Sequence, residues 1–130
     1  MYVLDTNTLI YFFKGEGRVA ENLFSHAPYT IAIPSIVLYE LKVGIFKSKS
    51  PQKLSSQLED FRQSVSVLDL GEKEAESAAG IRAQLEKIGK PIGPYGTLVA
   101  GICRARSAVL VTHNATEFGN VAGLEITDWY

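Results

Sequence analysis

Residues 1–15 read MYVLDTNTLIYFFKG, and this stretch decides the fold class. Its first four residues are apolar and end at Asp5, after which apolar residues recur at helical spacing as far as Gly15. Thr6 and Asn7 offer side chains that can cap a helix predicted over residues 8–14. The stretch therefore predicts a strand that leads directly into a helix, with a carboxylate at the junction.

The same alternation of strand and helix continues along the chain. Compact β-branched or alternating runs predict strands over residues 30–33, 66–70, 108–111 and 124–127. Helical patterns lie between them, and those on either side of the turn at 48–51 predict an antiparallel helical hairpin. Residues 91–96 read as a rigid turn before a helix over 97–106, and residues 113–123 as a loop. We expect an α/β fold with a central parallel sheet of about five strands, flanked by helices on both faces.

Size and composition limit the class of protein further. The chain has 130 residues, which fits one domain over residues 1–130. The single cysteine, Cys103, cannot form an internal disulfide and is typical of a reducing, cytosolic compartment. No apolar run approaches the roughly 20 residues that span a bilayer, and the N-terminus has no basic leader. We therefore expect a cytoplasmic protein without membrane contact.

The net charge of −1 conceals an uneven distribution. Between Glu40 and Glu59 every charged side chain is a lysine: Lys42, Lys47, Lys49 and Lys53. These lysines either form a solvated helix face or contact the phosphates of a nucleic acid, and the pattern alone leaves both interpretations open.

Polar residues that follow predicted strands are candidate site residues, because parallel α/β sheets bind ligands beyond the carboxyl ends of their strands. Asp5 follows the first strand, although a carboxylate there can simply be a helix cap. The loop after the fourth predicted strand contributes Thr112, His113, Asn114 and Glu117. A lone histidine in such a loop is more often a loop residue than a ligand.

Two further positions stand out from their helices. Glu40 lies in the middle of a predicted helix, where an ordinary surface glutamate is the simplest interpretation. Gly96 lies at the start of another helix, where glycine costs up to about 1 kcal/mol relative to alanine. The sequence shows no backbone reason for this glycine.

Four segments, in this order, resemble the PIN-domain nucleases, and among them the VapC toxins of bacterial toxin–antitoxin pairs. They are YVLDTNTLIYF (2–12), IAIPSIVLYELKVG (31–44), PIGPYGTLVAG (91–101) and LVTHNATEFGNVAGLEITDW (110–129). The resemblance covers essentially the whole chain. It implies an endoribonuclease that depends on Mg²⁺ or Mn²⁺ and cuts RNA, with transfer RNA as the expected substrate class.

The resemblance also implies site residues. The first and second acids of the family correspond to Asp5 and Glu40, which would hold the metal. The third acid corresponds to the position of Gly96, and the fourth acidic or amide position to Asn114. Thr112 corresponds to the family's hydroxyl residue and is expected to bond to Asp5.

Gly96 departs from the family pattern, since relatives that share the PIGPY segment usually carry aspartate there. Mg²⁺ prefers octahedral oxygen coordination, so the remaining acids would bind it weakly. We therefore expect this chain to be an impaired nuclease. A single nucleotide converts an aspartate codon to glycine, and cloning a toxic nuclease selects for inactive variants. Gly96 as an acquired or engineered substitution is thus a hypothesis that a glycine codon in the native gene would overturn.

Two other functions stay open at this point. A degenerate PIN domain would keep the fold and bind RNA or antitoxin without cutting, and Gly96 makes this the main alternative. A phosphatase of the haloacid dehalogenase type would use Asp5 as its nucleophile. Such enzymes carry a second aspartate where this chain has Asn7, and no downstream lysine motif is evident.

The resemblance implies several partners. RNA phosphates are expected at Lys42, Lys47, Lys49 and Arg104. A VapB-type antitoxin is expected to cover the helical hairpin, whose apolar residues exceed the needs of one small core: Ile45, Phe46, Leu54, Leu58 and Phe61. A homodimer is also expected, with operator DNA reached only through the antitoxin.

Overall fold

The computed structural model describes residues 1–130 and contains a central five-stranded sheet. The strands are β1 (Tyr2–Leu4), β2 (Ile31–Pro34), β3 (Ser66–Leu68), β4 (Val109–Val111) and β5 (Glu125–Thr127). They are arranged in the order β3-β2-β1-β4-β5, and every neighbouring pair is parallel. The predicted parallel sheet is confirmed.

Seven α-helices surround this sheet, together with a 3₁₀ turn at Pro28–Thr30. The helices are α1 (Thr6–Lys14), α2 (Val19–Phe24), α3 (Ser35–Lys47), α4 (Pro51–Arg62), α5 (Glu72–Lys87), α6 (Pro94–Ala105) and α7 (Ala115–Phe118). Val3 and Leu4 point to opposite faces of β1 and are both fully buried, so both faces of the sheet are covered. α3 and α4 pack against each other as the predicted helical hairpin. None of the helices combines the length and apolar character that crossing a membrane requires.

Three boundaries differ from the prediction, each for a local reason. α1 begins at Thr6, earlier than expected, because Asp5 takes the capping position. α6 begins at Pro94, inside the predicted rigid turn, since proline at the first helical position lacks only an N–H that would be unpaired anyway. The predicted loop after β4 contains the single-turn helix α7, which Asn114 caps.

The strand order reverses beside β1, and this reversal positions the candidate site. The chain builds outward from β1 to β2 and β3, then returns to place β4 and β5 on the other side of β1. Leu4 pairs with Val111 at the carboxyl ends of β1 and β4, so the residues that follow these two strands come together. Ligands of open α/β sheets bind at such a reversal.

α5 and α6 approach each other closely at Gly101. A Cβ atom added there would lie 2.5 Å from the Cβ of Ala78 and 2.7 Å from its Cα. Glycine therefore lets the two helices pack backbone to backbone. This packing fixes the position of α6, whose first turn contains Gly96.

Candidate functional site

A cleft of about 210 Å³ opens at the strand reversal. Its lining comes from the residues after β1, the middle of α3, the first turns of α6, and α7 with its capping residue. They are Asp5, Thr6, Asn7, Glu40, Tyr95, Gly96, Val99, Asn114, Glu117 and Phe118. The structure thus brings Asp5, Glu40, Gly96 and Asn114 into one site, although they are far apart in sequence.

Asp5 is both a helix cap and a cleft residue. Its Oδ1 accepts a hydrogen bond of 2.9 Å from the backbone N–H of Thr8, and its own N–H donates to the carbonyl of Val111 at 3.2 Å. The Thr8 hydroxyl donates to the same carbonyl at 3.1 Å. These bonds join the start of α1 to the end of β4 and hold the half-buried carboxylate toward the cleft.

A hydrogen bond connects Glu40 in α3 with the start of α1. The Thr6 hydroxyl donates to its Oε1 at 2.8 Å, which connects α1 with the middle of α3. The side chain is half-buried, so Glu40 is not the freely solvated surface glutamate that its helical position first suggested. A bond to a neutral hydroxyl holds the carboxylate in place without neutralising its charge.

Gly96 lies at the third position of α6, and its backbone does not have the positive φ that would require glycine. A Cβ atom there would lie 3.3 Å from Cζ of Phe118 and 3.5 Å from Oε1 of Glu117. A longer side chain at position 96 would therefore point toward the Glu117 carboxylate. The glycine leaves this part of the cleft without a side chain.

Asn114 and Glu117 form the wall supplied by the end of β4. The Asn114 Oδ1 accepts a hydrogen bond of 3.3 Å from the Glu117 N–H, and its amide Nδ2 donates to Glu117 Oε2. Glu117 was one of the polar loop residues that the sequence offered as candidates, and the structure places it in the cleft lining. Asn114 therefore orients the carboxylate nearest to Gly96.

The prediction that Thr112 bonds to Asp5 is wrong. Thr112 is buried, and its Oγ1 accepts a hydrogen bond of 3.0 Å from the Asn114 backbone N–H. The hydroxyl thus shapes the turn that presents Asn114. His113 lies outside the cleft lining, and its Nδ1 is 2.8 Å from Asp128 Oδ2.

The residues present do not form a complete metal site. Carboxylate and amide oxygens are suitable ligands for a hard divalent cation. However, no group of three acidic, histidine or cysteine side chains converges closely enough to hold a metal ion. Gly96, which lines the cleft together with Asp5, Glu40 and Glu117, adds no side chain to this donor set.

Two tyrosines at the mouth of the cleft were also missed, although each directly precedes a predicted site residue. The hydroxyl oxygens of Tyr39 and Tyr95 lie 3.4 Å apart, and their ring centroids 5.7 Å apart. The hydrogen bond with Tyr39 raises the pKa of Tyr95 above its ordinary value, and the Glu40 carboxylate adds to this shift. Both rings are exposed.

The predicted phosphate contacts separate into two groups. Lys42, Lys47 and Lys49 are exposed and take part in no ion pair, so their role remains a prediction. Arg104 is not a free cation like these lysines. Its guanidinium donates to the carbonyls of Ser77 and Ala122, both at 3.1 Å, and so ties α6 to α5 and to the segment before β5.

The predicted partner-binding residues also need correction. Leu58 and Phe61 are buried in the hydrophobic core, so the prediction that they are surplus to it is wrong. The amphipathic face of α4 is occupied by the protein itself. Phe46 is 88% exposed, whereas Ile45 and Leu54 are half-buried and line a second cavity of about 360 Å³ that also contacts Glu40.

Known proteins share this architecture over nearly its whole length. The PIN domain family matches residues 2–124. The chain is 34% identical over 128 residues to the tRNA(fMet)-specific endonuclease VapC of Shigella flexneri, an alignment that covers 98% of this chain and 97% of that relative. The enzyme of the same name from Salmonella typhimurium is 36% identical over 128 residues, with the same coverage.

A solved structure matches this chain over nearly the same length. The crystal structure of VapBC2 from Rickettsia felis bound to a DNA fragment from their promoter matches with a TM-score of 0.92 and 35% identity. The match covers 99% of this chain and 98% of that chain. Because both the sequence and the fold agree from end to end, this chain belongs to the VapC family of PIN-domain proteins.

Proposed function

We propose that this chain is the toxin of a type II toxin–antitoxin pair, a PIN domain over residues 1–130 with impaired endoribonuclease activity. One observation carries the proposal: Asp5, Glu40, Asn114 and Glu117 line one cleft together with Gly96, which contributes no side chain to it. The first acids of the site are in place, but no three of them converge. The fold therefore supplies a nuclease cleft that lacks one carboxylate.

Transfer RNA is the proposed substrate class, because two whole-chain relatives are named tRNA(fMet)-specific endonucleases. Lys42, Lys47 and Lys49 are the proposed phosphate contacts. Their positive charges can position an RNA strand without reading its sequence. The carboxylates of the cleft repel phosphate, so binding by these lysines must also offset that repulsion.

Mg²⁺ or Mn²⁺ is the proposed cofactor of the completed site, which the variant Gly96→Asp would restore. An aspartate at position 96 would add oxygen ligands to the cleft that these acids line. A divalent ion supplies Lewis-acid activation of the phosphate and of water when all its ligands are present. The chain with Gly96 holds too few of them for this chemistry.

A VapB-type antitoxin is the proposed partner, since a matching solved structure is a VapBC assembly on promoter DNA. Phe46, Ile45 and Leu54 are the remaining candidate contacts on the helical hairpin. Operator DNA would be reached through the antitoxin. We also propose a homodimer and a cytoplasmic location.

The test compares cleavage of total transfer RNA, with and without Mg²⁺, by four forms of the protein. These are the chain itself, Gly96→Asp, Gly96→Ala as a matched control, and Gly96→Asp combined with Asp5→Ala. We expect Mg²⁺-dependent cleavage by Gly96→Asp alone. Efficient cleavage by the chain with Gly96 would contradict the impairment. Retained RNA or antitoxin binding, with no cleavage by any form, would favour the degenerate, non-catalytic PIN domain instead.

A further inference from the structure

The cleft presents an electrostatic difficulty for any RNA that enters it. Asp5, Glu40 and Glu117 line it, and no cation from the chain lies among its lining residues. A phosphate approaching these carboxylates is repelled. Attraction that does not depend on charge would help to hold a nucleotide close to these acids.

Tyr39 and Tyr95 lie where such attraction would act. Tyr39 is on α3 directly before Glu40, and Tyr95 is in the first turn of α6 directly before Gly96. Tyr95 itself lines the cleft. The two tyrosines come from different elements, and the contact between their hydroxyls joins these elements across the mouth of the site.

The geometry of the two rings leaves surface available for a third ring. They meet edge to face at 64°, and Tyr39 and Tyr95 are 52% and 43% exposed. Neither belongs to the hydrophobic core. An edge-to-face pair fixes the orientation of both rings while part of an aromatic face stays open to solvent.

Positive charge lies beside the two tyrosines and is complementary to the phosphates of a nucleic acid. Lys42 lies three residues after Tyr39, on the same side of α3, and is exposed without an ion-pair partner. Lys47 and Lys49 extend the positive charge beyond it along the chain. An aromatic surface next to basic side chains is the combination that binds unpaired nucleotides.

We propose that Tyr39 and Tyr95 form a platform on which one unpaired RNA base stacks, so that its nucleotide is held beside the carboxylates. This inference rests on the proposed function, since it assumes that RNA enters the cleft. A base in a duplex has no free face, so the platform selects single-stranded segments. The tyrosines are positioning residues: they hold the nucleotide, and the acids face its backbone.

The test measures RNA binding in metal-free buffer, where cleavage does not interfere. The first probe is a fluorescein-labelled single-stranded oligoribonucleotide, and the second is an oligomer of the same length with abasic ribose at every position. Binding is followed by fluorescence anisotropy. The chain should bind the first probe more tightly, because only that probe can stack.

The double variant Tyr39→Ala/Tyr95→Ala should lose about 5- to 150-fold in affinity for the base-bearing probe, the range expected for a stacking aromatic. Its affinity for the abasic probe should stay within about twofold, because its phosphate contacts are intact. Tyr39→Phe keeps the ring and should bind nearly as the unmodified chain does. Tyr29→Ala removes a tyrosine that is 85% exposed outside the cleft and should have no effect.

Several results would overturn the platform. Unchanged binding by the double variant, or an equal loss for both probes, would show that the rings do not stack on a base. A change in the molar mass of the double variant, measured by light scattering, would show that they contact a second copy of the chain instead. If the unmodified chain binds neither probe, the platform fails, and cleavage of transfer RNA by Gly96→Asp decides the proposed function separately. If it binds both probes equally, only the platform fails.

Discussion

At the scale of single residues, Gly96 decides what the cleft can do. Its backbone does not need glycine, and a Cβ atom there would lie 3.3 Å from the Phe118 ring, which would have to shift slightly. Position 96 lies in the first turn of α6, where the partial positive charge of the helix favours an acid. The same acid would meet the Glu117 carboxylate. Glycine therefore avoids repulsion between acids, and in the proposed nuclease it leaves the metal one ligand short.

The first prediction concerns the stability of two variants at this position. Gly96→Ala should change the free energy of unfolding by less than about 1 kcal/mol, because the helical gain is offset by a small shift of the Phe118 ring. Gly96→Asp should be less stable than Gly96→Ala in the absence of divalent ions, owing to repulsion from Glu117. Thermal unfolding with EDTA compares them.

Addition of Mg²⁺ should then separate the variants further. A bound ion stabilises only the form that binds it, and each 1 kcal/mol raises the melting temperature of a domain of this size by about 3–6 °C. The melting temperature should rise for Gly96→Asp and stay unchanged for Gly96→Ala and for the unmodified chain. An equal rise in all three would show that position 96 does not complete the metal site.

The second prediction concerns Cys103, which is completely buried in α6. Burial raises the pKa of its thiol to about 12, and the Asp5 carboxylate adds to the shift. The unfolded chain releases this proton above about pH 8.5, whereas the folded protein retains it. The thiol of Cys103 therefore does not lower the free energy of unfolding below about pH 8.5. Above that pH the free energy of unfolding falls, until the pH reaches about 12.

Two measurements check this behaviour. The disulfide reagent DTNB should react with Cys103 in concentrated guanidinium chloride and remain nearly unreactive with the folded protein at pH 9. Between about pH 9 and 11, ionisation of Cys103 should lower the free energy of unfolding by about 1.4 kcal/mol per pH unit. The variant Cys103→Ala should lack this decline. Rapid reaction of the folded protein would mean that the thiol is accessible.

At the scale of elements, the contact between α5 and α6 determines where the first turn of α6 lies. Gly101 faces Ala78 with no space for a methyl group between them. Arg104, one turn further along α6, donates to the carbonyl of Ser77 in α5. A close backbone contact and a side-chain hydrogen bond thus hold the same pair of helices together.

The third prediction is that Gly101→Ala forces these helices apart. Overpacking of this kind costs about 1–3 kcal/mol. The matched control is Gly44→Ala in α3, where an added Cβ meets nothing within 4 Å and should stabilise the helix by up to about 1 kcal/mol. Urea denaturation measures both changes. Equal effects of the two substitutions would contradict the tight contact at Gly101.

At the scale of the whole molecule, the architecture was predictable from the chain and the cleft only in part. Short β-branched or alternating runs marked the strands well, and the three central strands β1, β2 and β4 are largely buried, as strands of parallel sheets usually are. Asp5 and Asn114 were identifiable as strand-end residues. That these two residues lie close together depends on the order of the strands in the sheet, and local sequence patterns do not predict that order. The same limit applies to the contact between Glu117 and position 96.

The incorrect predictions about individual residues also arise from tertiary contacts that the local sequence does not show. An amphipathic helix shows which residues share a face, but not whether the protein or a partner covers that face, so Leu58 and Phe61 were assigned to a surface. Arg104 looked like a free cation, because its carbonyl acceptors come from residues 77 and 122. The hydrogen bond of Thr112 depends on a turn that is formed only when Asn114 caps α7.

The fourth prediction concerns contacts between the two ends of the chain. Trp129 is buried, stacks on His26 with ring centroids 4.8 Å apart, and accepts a hydrogen bond of 3.0 Å from the Asn22 side chain through its carbonyl. Trp129→Ala should lower the free energy of unfolding by about 3–5 kcal/mol.

Thermal unfolding followed by circular dichroism measures this loss, since the substitution removes the only tryptophan. Tyr29→Ala is the control and should change stability by less than about 0.5 kcal/mol, because the side chain is exposed. A small effect of Trp129→Ala would show that the last residues are not needed to hold the N-terminal half.

The pairing of β1 with β4 also has a consequence for how the protein is made. Asp5 leaves the ribosome well before Asn114 and Glu117, which lie 109 and 112 residues further along the chain. At about 5–20 residues per second, translation separates them by on the order of ten seconds. During that interval β4 is not yet available to pair with β1, and the residues after β4 that line the cleft are still missing. Any toxicity encoded in this fold thus begins only after β4 and α7 have been synthesised, which gives a binding partner time to be present first.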